Sequence, residues 1–244
     1  MTNLRIKLFA DGADLTTIRR LAADPLIQGF TTNPTLMRKA GVSDYAAFAQ
    51  DVVKAIGDRP ISFEVFSDDF DEMEGQAREI ATWGDGVYVK IPVTNTKAEF
   101  SGDLLRRLTG SGIRVNVTAL LTVAQVRQVA ACLQADVPSC VSVFAGRIAD
   151  TGRDPIPIMS ESVSVLKALP QAELIWASPR ELLNVIQADQ VGCHIITATA
   201  DVLAKLKLVG KDLDEFSLDT VKMFRDDAVA AGFSVQPNRR TASK

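Results

Sequence analysis

Short apolar runs alternate with stretches of helical periodicity along nearly the whole chain. The β-like runs are Leu4–Ala10, Ile27–Thr31, Ile61–Phe66, Val87–Ile91, Ile113–Val117, Cys140–Phe144, Leu174–Ala177 and His194–Thr197. Between them apolar residues recur at i, i+3 and i+4, the spacing of a helix with one buried face. These stretches are Leu15–Ala23, Tyr45–Ile56, Asp71–Trp83, Phe100–Leu108, Val123–Leu133, Ile158–Leu169, Pro179–Ala188 and Val202–Leu208. The middle runs begin about 26 residues apart, the length of a strand-plus-helix unit. No composition shift or Pro/Gly/Ser-rich linker divides the chain. Eight such units predict an α/β fold, a closed (β/α)8 barrel, in one domain spanning residues 1–235. A doubly wound open sheet is the competing architecture. The absence of G-x-G-x-x-G after the first run counts against its dinucleotide-binding form.

An additional C-terminal helix is expected at about 217–231, with Val221, Phe224 and Val229 apolar, Ser217 as its N-cap and Gly232 beyond its end. Such a helix would cover the barrel or reach a neighbouring subunit. The polar, basic stretch 236–244 reads as a disordered tail.

Strand alternation then selects candidate chemistry. In Val87-Tyr88-Val89-Lys90-Ile91-Pro92-Val93 the odd positions are all aliphatic, and Lys90 shares the other face with Tyr88 and Pro92. In a barrel one face of each strand meets the helices and the other the interior, where functional groups gather at the strands' C-terminal ends. Applied to each run, this parity brings Asp11, Asn33, Glu64, Lys90, Asn116, Thr118, Ser142 and Ser178 into one cavity. Phe144 and Trp176 join them, with Ile175 and Ala177 directed outward. So many polar groups are costly in an inert core. A lysine there is a candidate to offer its amine for Schiff-base chemistry. The competing readings are an edge lysine that snorkels to solvent and a structural ion pair with Asp11 or Glu64. Arg147 and Arg180 follow the sixth and seventh runs, where barrels often bind phosphate. Ser178, just before Pro179, is placed to cap the next helix, whose amides favour an anion. For either arginine alone, a loop salt bridge is the plain alternative.

Composition narrows this picture. With 244 residues, 47% of them hydrophobic, the chain can bury a large core. Its net charge of −3 shows no block asymmetry, so neither nucleic acid nor a membrane is expected as partner. Cys132, Cys140 and Cys193 lack C-x-x-C spacing and His194 is the only histidine, so no zinc site is expected and the thiols read as reduced. The N-terminus lacks a secretory pattern and no apolar run reaches about 18 residues, which makes a cytoplasmic protein the expectation. His194 and Cys193 read as core residues, and Asp68, Asp69, Asp71, Glu72 and Glu74 as the acidic start of a helix.

The runs Phe9-Ala10-Asp11, Thr31-Thr32-Asn33-Pro34-Thr35, Val89-Lys90-Ile91-Pro92, Asn116-Val117-Thr118-Ala119, Phe144-Ala145-Gly146-Arg147-Ile148 and Ala177-Ser178-Pro179-Arg180 closely resemble the transaldolase family, whose short branch contains the fructose-6-phosphate aldolases. The resemblance runs from about Leu4 to Phe233 with every motif in order. Each motif alone is weak; T-T-N-P-T together with the lysine strand is specific. It implies a TIM barrel and a class I aldol mechanism that needs no metal or other cofactor. Lys90 would form a Schiff base with the C2 carbonyl of a ketose phosphate, and Asp11 would take the C4 hydroxyl proton. Glu64 and Thr118 resemble the pair that handles an active-site water. Asn33, Asn116 and Ser142 would hold hydroxyls of the three-carbon unit, and Arg147, Ser178 and Arg180 match phosphate-binding positions.

Glu64 and Phe144 are transaldolase-like, since the fructose-6-phosphate aldolases carry glutamine and tyrosine there. The compact length resembles the short branch, whose members are commonly ring-shaped oligomers. Gly12 departs from the usual threonine, and Trp176 is unusual. The resulting expectation is a transaldolase of carbohydrate metabolism, a homo-oligomer acting on small-molecule sugar phosphates. It would move a dihydroxyacetone unit from a donor such as fructose 6-phosphate to an aldose phosphate. An aldolase releasing free dihydroxyacetone, a transaldolase for sulfonated sugars, a phosphosugar isomerase or epimerase and a non-catalytic sugar-phosphate-binding protein are the alternatives.

Overall fold

A computed structural model describes residues 4–235. The expected tail at 236–244 lies outside the described residues. By internal contacts the chain forms two units, residues 2–206 and a second made chiefly of the residues from 207 onward.

The first unit is a closed barrel of eight parallel strands in sequence order, β1 pairing with both β2 and β8. Its elements run β1 (Lys7–Asp11), α1 (Leu15–Ala22), β2 (Ile27–Thr31), α2 (Pro34–Lys39), α3 (Tyr45–Ile56), β3 (Ile61–Glu64), α4 (Phe70–Ile80) and β4 (Val87–Pro92). They continue with α5 (Gly102–Gly110), β5 (Val115–Leu120), α6 (Val123–Ala130), β6 (Ser139–Val143), α7 (Ala145–Asp150), α8 (Ile156–Leu166), β7 (Ala172–Trp176), α9 (Leu183–Gln190), β8 (Ile195–Ala198) and α10 (Ala200–Leu203). This is the expected TIM barrel. Two short helices, α2 and α7, were not expected; each is six residues, too short to display an apolar period.

Side chains at the helix starts satisfy otherwise unpaired amides. Asp14 accepts from Thr17 N, Asp44 from Ala47 N, and Thr122 forms a capping box with Gln125. Asp69 caps α4, whose first turn holds Asp71 and Glu72, so the acidic cluster does open a helix. Asp68 is spent differently, accepting from Thr96 N and Oγ1.

Apolar positions of the strands, among them Leu8, Phe63, Val89, Val117 and Val141, pack outward with the helices in the main core. Phe9, Cys140, Ile175, Ala177 and Ile195 form a separate interior cluster against Tyr88 and Phe144. This corrects the seventh strand. Ile175 and Ala177 face the interior, and Trp176 lies fully buried in the main core, outside the barrel. Glu173-Leu174-Ile175-Trp176-Ala177 is apolar on both faces over most of its length, so polarity could not set its phase. Pairing does: Trp176 sits beside Val143 and Ile196, which also face the helices, while Ile175 sits beside inward Ser142.

The second unit is dominated by α11 (Leu213–Ala230). It starts earlier than expected. Asp212, not Ser217, is its N-cap, accepting from Asp214 N and Glu215 N. Leu213, Leu218, Val221, Phe224 and Val229 on this helix are exposed. No helix among the described residues is long and apolar enough to cross a membrane.

Candidate active site

Strand register assembles the site. Glu64 on β3, Lys90 on β4 and Asn116 on β5 are successive neighbours across the sheet, so their side chains share the interior face. Lys90 is only 6% exposed. Its Nζ donates to the Thr32 carbonyl at 2.7 Å and lies 3.6 Å from Glu64 Oε2. The snorkelling alternative is therefore excluded, and the ion-pair partner is Glu64. Burial pushes the Glu64 carboxyl above its usual range; the Lys90 charge opposes this, and the Asp11 charge adds to it. Tyr45 fixes this residue from α3, its hydroxyl donating to Glu64 O at 3.1 Å and accepting from Glu64 N at 2.8 Å.

Asp11 ends β1. It accepts from Thr31 Oγ1 at 2.8 Å on Oδ1 and from Asn33 Nδ2 at 3.4 Å on Oδ2. Burial raises its pKa too, with the Lys90 charge and then the Thr31 and Asn33 bonds holding it down. Asn33 also caps α2 through Oδ1, which accepts from Leu36 N at 3.0 Å. Asn116 donates from Nδ2 to Ser62 Oγ at 2.9 Å and accepts from Ser142 Oγ at 2.7 Å. Thr118 Oγ1 is buried with no hydrogen-bond partner among the described residues. Ala119 just after it has φ 66°, a costly conformation for a residue with a Cβ, at the point where the β5–β6 register shifts. Phe144 packs on the interior cluster, its ring 5.5 Å from the Arg147 guanidinium.

The anion-binding candidates are arranged by loops. Ser178 has φ 59° and lies past the end of β7, so strand parity does not govern it. Nor does it cap α9, which begins five residues later at Leu183. Pro179 cannot donate an amide, and the next two amides, Arg180 N and Glu181 N, are taken by Asn184 Oδ1. The Arg180 guanidinium is engaged through two nitrogens by Asp150 at the end of α7. This is the loop salt bridge considered above. That pairing holds the Asp150 carboxyl below its usual range, with a weaker contribution from Arg147.

Gly146 makes this crossing possible: a Cβ there would lie 1.5 Å from the Ser178 carbonyl oxygen. Alanine in a helix ordinarily gains up to about 1 kcal/mol over glycine. Here the overlap reverses the sign, and Gly146→Ala is expected to lose roughly 1–3 kcal/mol. Urea denaturation monitored by circular dichroism checks this.

Sequence reasoning gave no role to Ser62, Tyr45, Thr31 and Thr197: the Ser62 and Thr31 hydroxyls bond the Asn116 and Asp11 side chains, the Tyr45 hydroxyl bonds the Glu64 backbone, and Thr197 bonds Thr31. Ser62 and Thr31 carried a usable signal, since each lies two positions before a selected residue. Tyr45 sits on a helix and Thr197 in an apolar strand, where nothing local points to the site. His194, as expected, serves packing, accepting from Leu174 N through Nδ1 at 2.9 Å. A cavity of about 660 Å³ at the opposite mouth, between Lys7, Tyr88, Arg114 and Glu173, reaches this network at Ser62.

Residues 8–235 match the family model described as Transaldolase/Fructose-6-phosphate aldolase. The chain belongs to this family. A "Probable transaldolase" of Dehalococcoides mccartyi is 34% identical over 203 residues, covering 82% of this chain and 90% of that protein. A "Probable transaldolase" of Thermoanaerobacter sp. is 32% identical over 232 residues, covering 94% of this chain and all of the relative. A solved HpcH/Hpal aldolase/citrate lyase family protein from Burkholderia cenocepacia superposes with a TM-score of 0.58 at 13% identity, covering 87% of this chain and 95% of that one. At that identity the likeness concerns the barrel alone. Family membership makes this an aldolase-type enzyme.

Proposed function

We propose that this family member is a transaldolase that transfers a dihydroxyacetone unit between sugar phosphates through a Schiff base on Lys90. The observation that carries the reading is a buried lysine amine in the interior layer, between Glu64 and the Thr32 carbonyl. To attack the donor's C2 carbonyl, Nζ must shed a proton. Glu64, with its elevated pKa, is the nearest base and can return that proton to the departing water. Thr118 Oγ1 supplies a free hydroxyl for the same water. The iminium then draws electrons from the C3–C4 bond while Asp11 takes the C4 hydroxyl proton, releasing an aldehyde and leaving an enamine on Lys90. Attack of that enamine on an acceptor aldehyde reverses the sequence. Asp11 then delivers its proton to the new alkoxide.

Binding roles follow from the same layer. Asn33, Asn116 and Ser142 face the three-carbon unit. Arg147, Ser178 and Arg180 receive the phosphate, and Asp150 must share Arg180 with it. Phe144 offers no hydroxyl to activate water against the enamine, which favours transfer over release of dihydroxyacetone. The exposed apolar side chains of α11 support a homo-oligomer built through that helix, checked by sedimentation against a variant carrying Phe224→Ser and Val221→Ser.

The test of transfer is to follow fructose 6-phosphate with and without erythrose 4-phosphate. Turnover should require the acceptor. Equal consumption of the donor alone would instead identify an aldolase that releases dihydroxyacetone.

A further inference from the structure

Asp11 ends β1, and β1 is flanked in the ring by β2 and β8. From β2, Thr31 pairs directly with Asp11 and donates its hydroxyl to Oδ1 at 2.8 Å. From β8, Thr197 pairs with Phe9, and its Oγ1 lies 2.6 Å from Thr31 Oγ1. Thr31 has a single hydroxyl proton. With that proton committed to the carboxylate, the 2.6 Å bond must run from Thr197 to Thr31. Three strands thus carry one directed chain, Thr197 to Thr31 to Asp11. Both threonines are buried, so water does not replace either bond freely.

We propose that Thr197 is a positioning residue for Asp11: by donating to Thr31 it polarises the Thr31 hydroxyl toward Oδ1, favours the carboxylate and leaves Oδ2 as the atom that takes the substrate's proton. The inference rests on the reading of Asp11 as the general base. Two threonines that merely satisfy each other would need no fixed direction. The direction here is imposed by the charge at one end, and a chain of hydrogen bonds strengthens each of its members. The other groups set around Asp11 are Lys90 from β4, whose charge favours the carboxylate, Glu64 from β3, whose own carboxyl the Asp11 charge pushes up, and the Asn33 amide beyond β2. None of these touches Thr197, so a change at residue 197 reaches Asp11 through Thr31.

The experiment compares wild type with Thr197→Val, which keeps the shape and removes the donor, and Thr197→Ser, which keeps the donor. Thr197→Ala stands in should valine disturb the fold. The Asp11 carboxyl is titrated directly by carbon-13 NMR, and the pH profile of kcat is recorded alongside. Losing the donor disfavours the carboxylate, so in the valine variant the NMR midpoint and the acid limb of kcat should both move up by roughly half to one pH unit. The serine variant should restore both. An unmoved Asp11 midpoint in the valine variant, or a serine variant shifted as far as valine, overturns the proposal. Borohydride trapping of the wild type with fructose 6-phosphate runs in parallel. Its failure would count against the Schiff-base reading, while the NMR midpoint still decides the role of Thr197.

Discussion

Lys90→Arg is expected to abolish turnover, by roughly 10⁴-fold or more, while the protein still folds. Arginine keeps a positive charge and hydrogen-bond donors near Glu64 and the Thr32 carbonyl. It does not give up its proton in water at accessible pH, so no neutral amine forms to attack a carbonyl. Lys90→Met makes the complementary case. It also removes the amine, but leaves two buried carboxyls without the charge that now opposes their burial. Both variants should be inactive, and only methionine should push Glu64 and Asp11 further toward the neutral acid. Turnover of fructose 6-phosphate with an acceptor, together with circular dichroism to verify folding, measures the first effect. Residual activity within tenfold of wild type in either variant would remove Lys90 from the chemistry.

Asp11→Asn is expected to slow transfer by roughly 10²–10⁴-fold, the usual contribution of a positioned general base. The asparagine amide preserves much of the shape around Thr31 and Asn33 but cannot take a proton. In the proposed mechanism adduct formation on Lys90 precedes the step that needs Asp11, so borohydride should still trap the donor. The same substitution carries a stability consequence of opposite sign. Burial raises the Asp11 pKa, so the folded state prefers the protonated acid. That preference contributes stability below the unfolded-state pKa and is lost as pH rises through the folded-state value. Above the folded-state value the ionised Asp11 is therefore a net cost, and in that range Asp11→Asn should melt a few degrees higher than wild type. The gain should disappear under acid conditions, where the wild-type group is itself neutral. Thermal melts at several pH values measure it.

The barrel was legible because outward strand positions are largely apolar on β3 through β6, and polar residues alternate with many of them. There a single phase fits the residues, and register then sets Glu64, Lys90 and Asn116 side by side. Legibility failed where both faces are apolar, as at Ile175 and Trp176, because only pairing with Ser142 and Val143 fixes the phase. It failed again beyond strand ends. Ser178 and Ala119 take positive φ, which neither side chain favours, and Ser178 does so where its carbonyl packs against Gly146. The pairing of Arg180 with Asp150 joins residues 30 positions apart, one in the loop after β7 and one at the end of α7, so no periodicity could reveal it. The supporting hydroxyls of Tyr45 and Thr197 belong to the same class, because they act through a partner and carry no pattern of their own.

In the proposed reaction, chemistry passes through a covalent bond to Lys90. Its most direct measurement is borohydride reduction of the enzyme in the presence of fructose 6-phosphate, followed by peptide mass spectrometry. A single donor-dependent adduct is expected on the peptide containing Val87–Pro92, located at Lys90. No adduct, or an adduct on any other lysine, would contradict it.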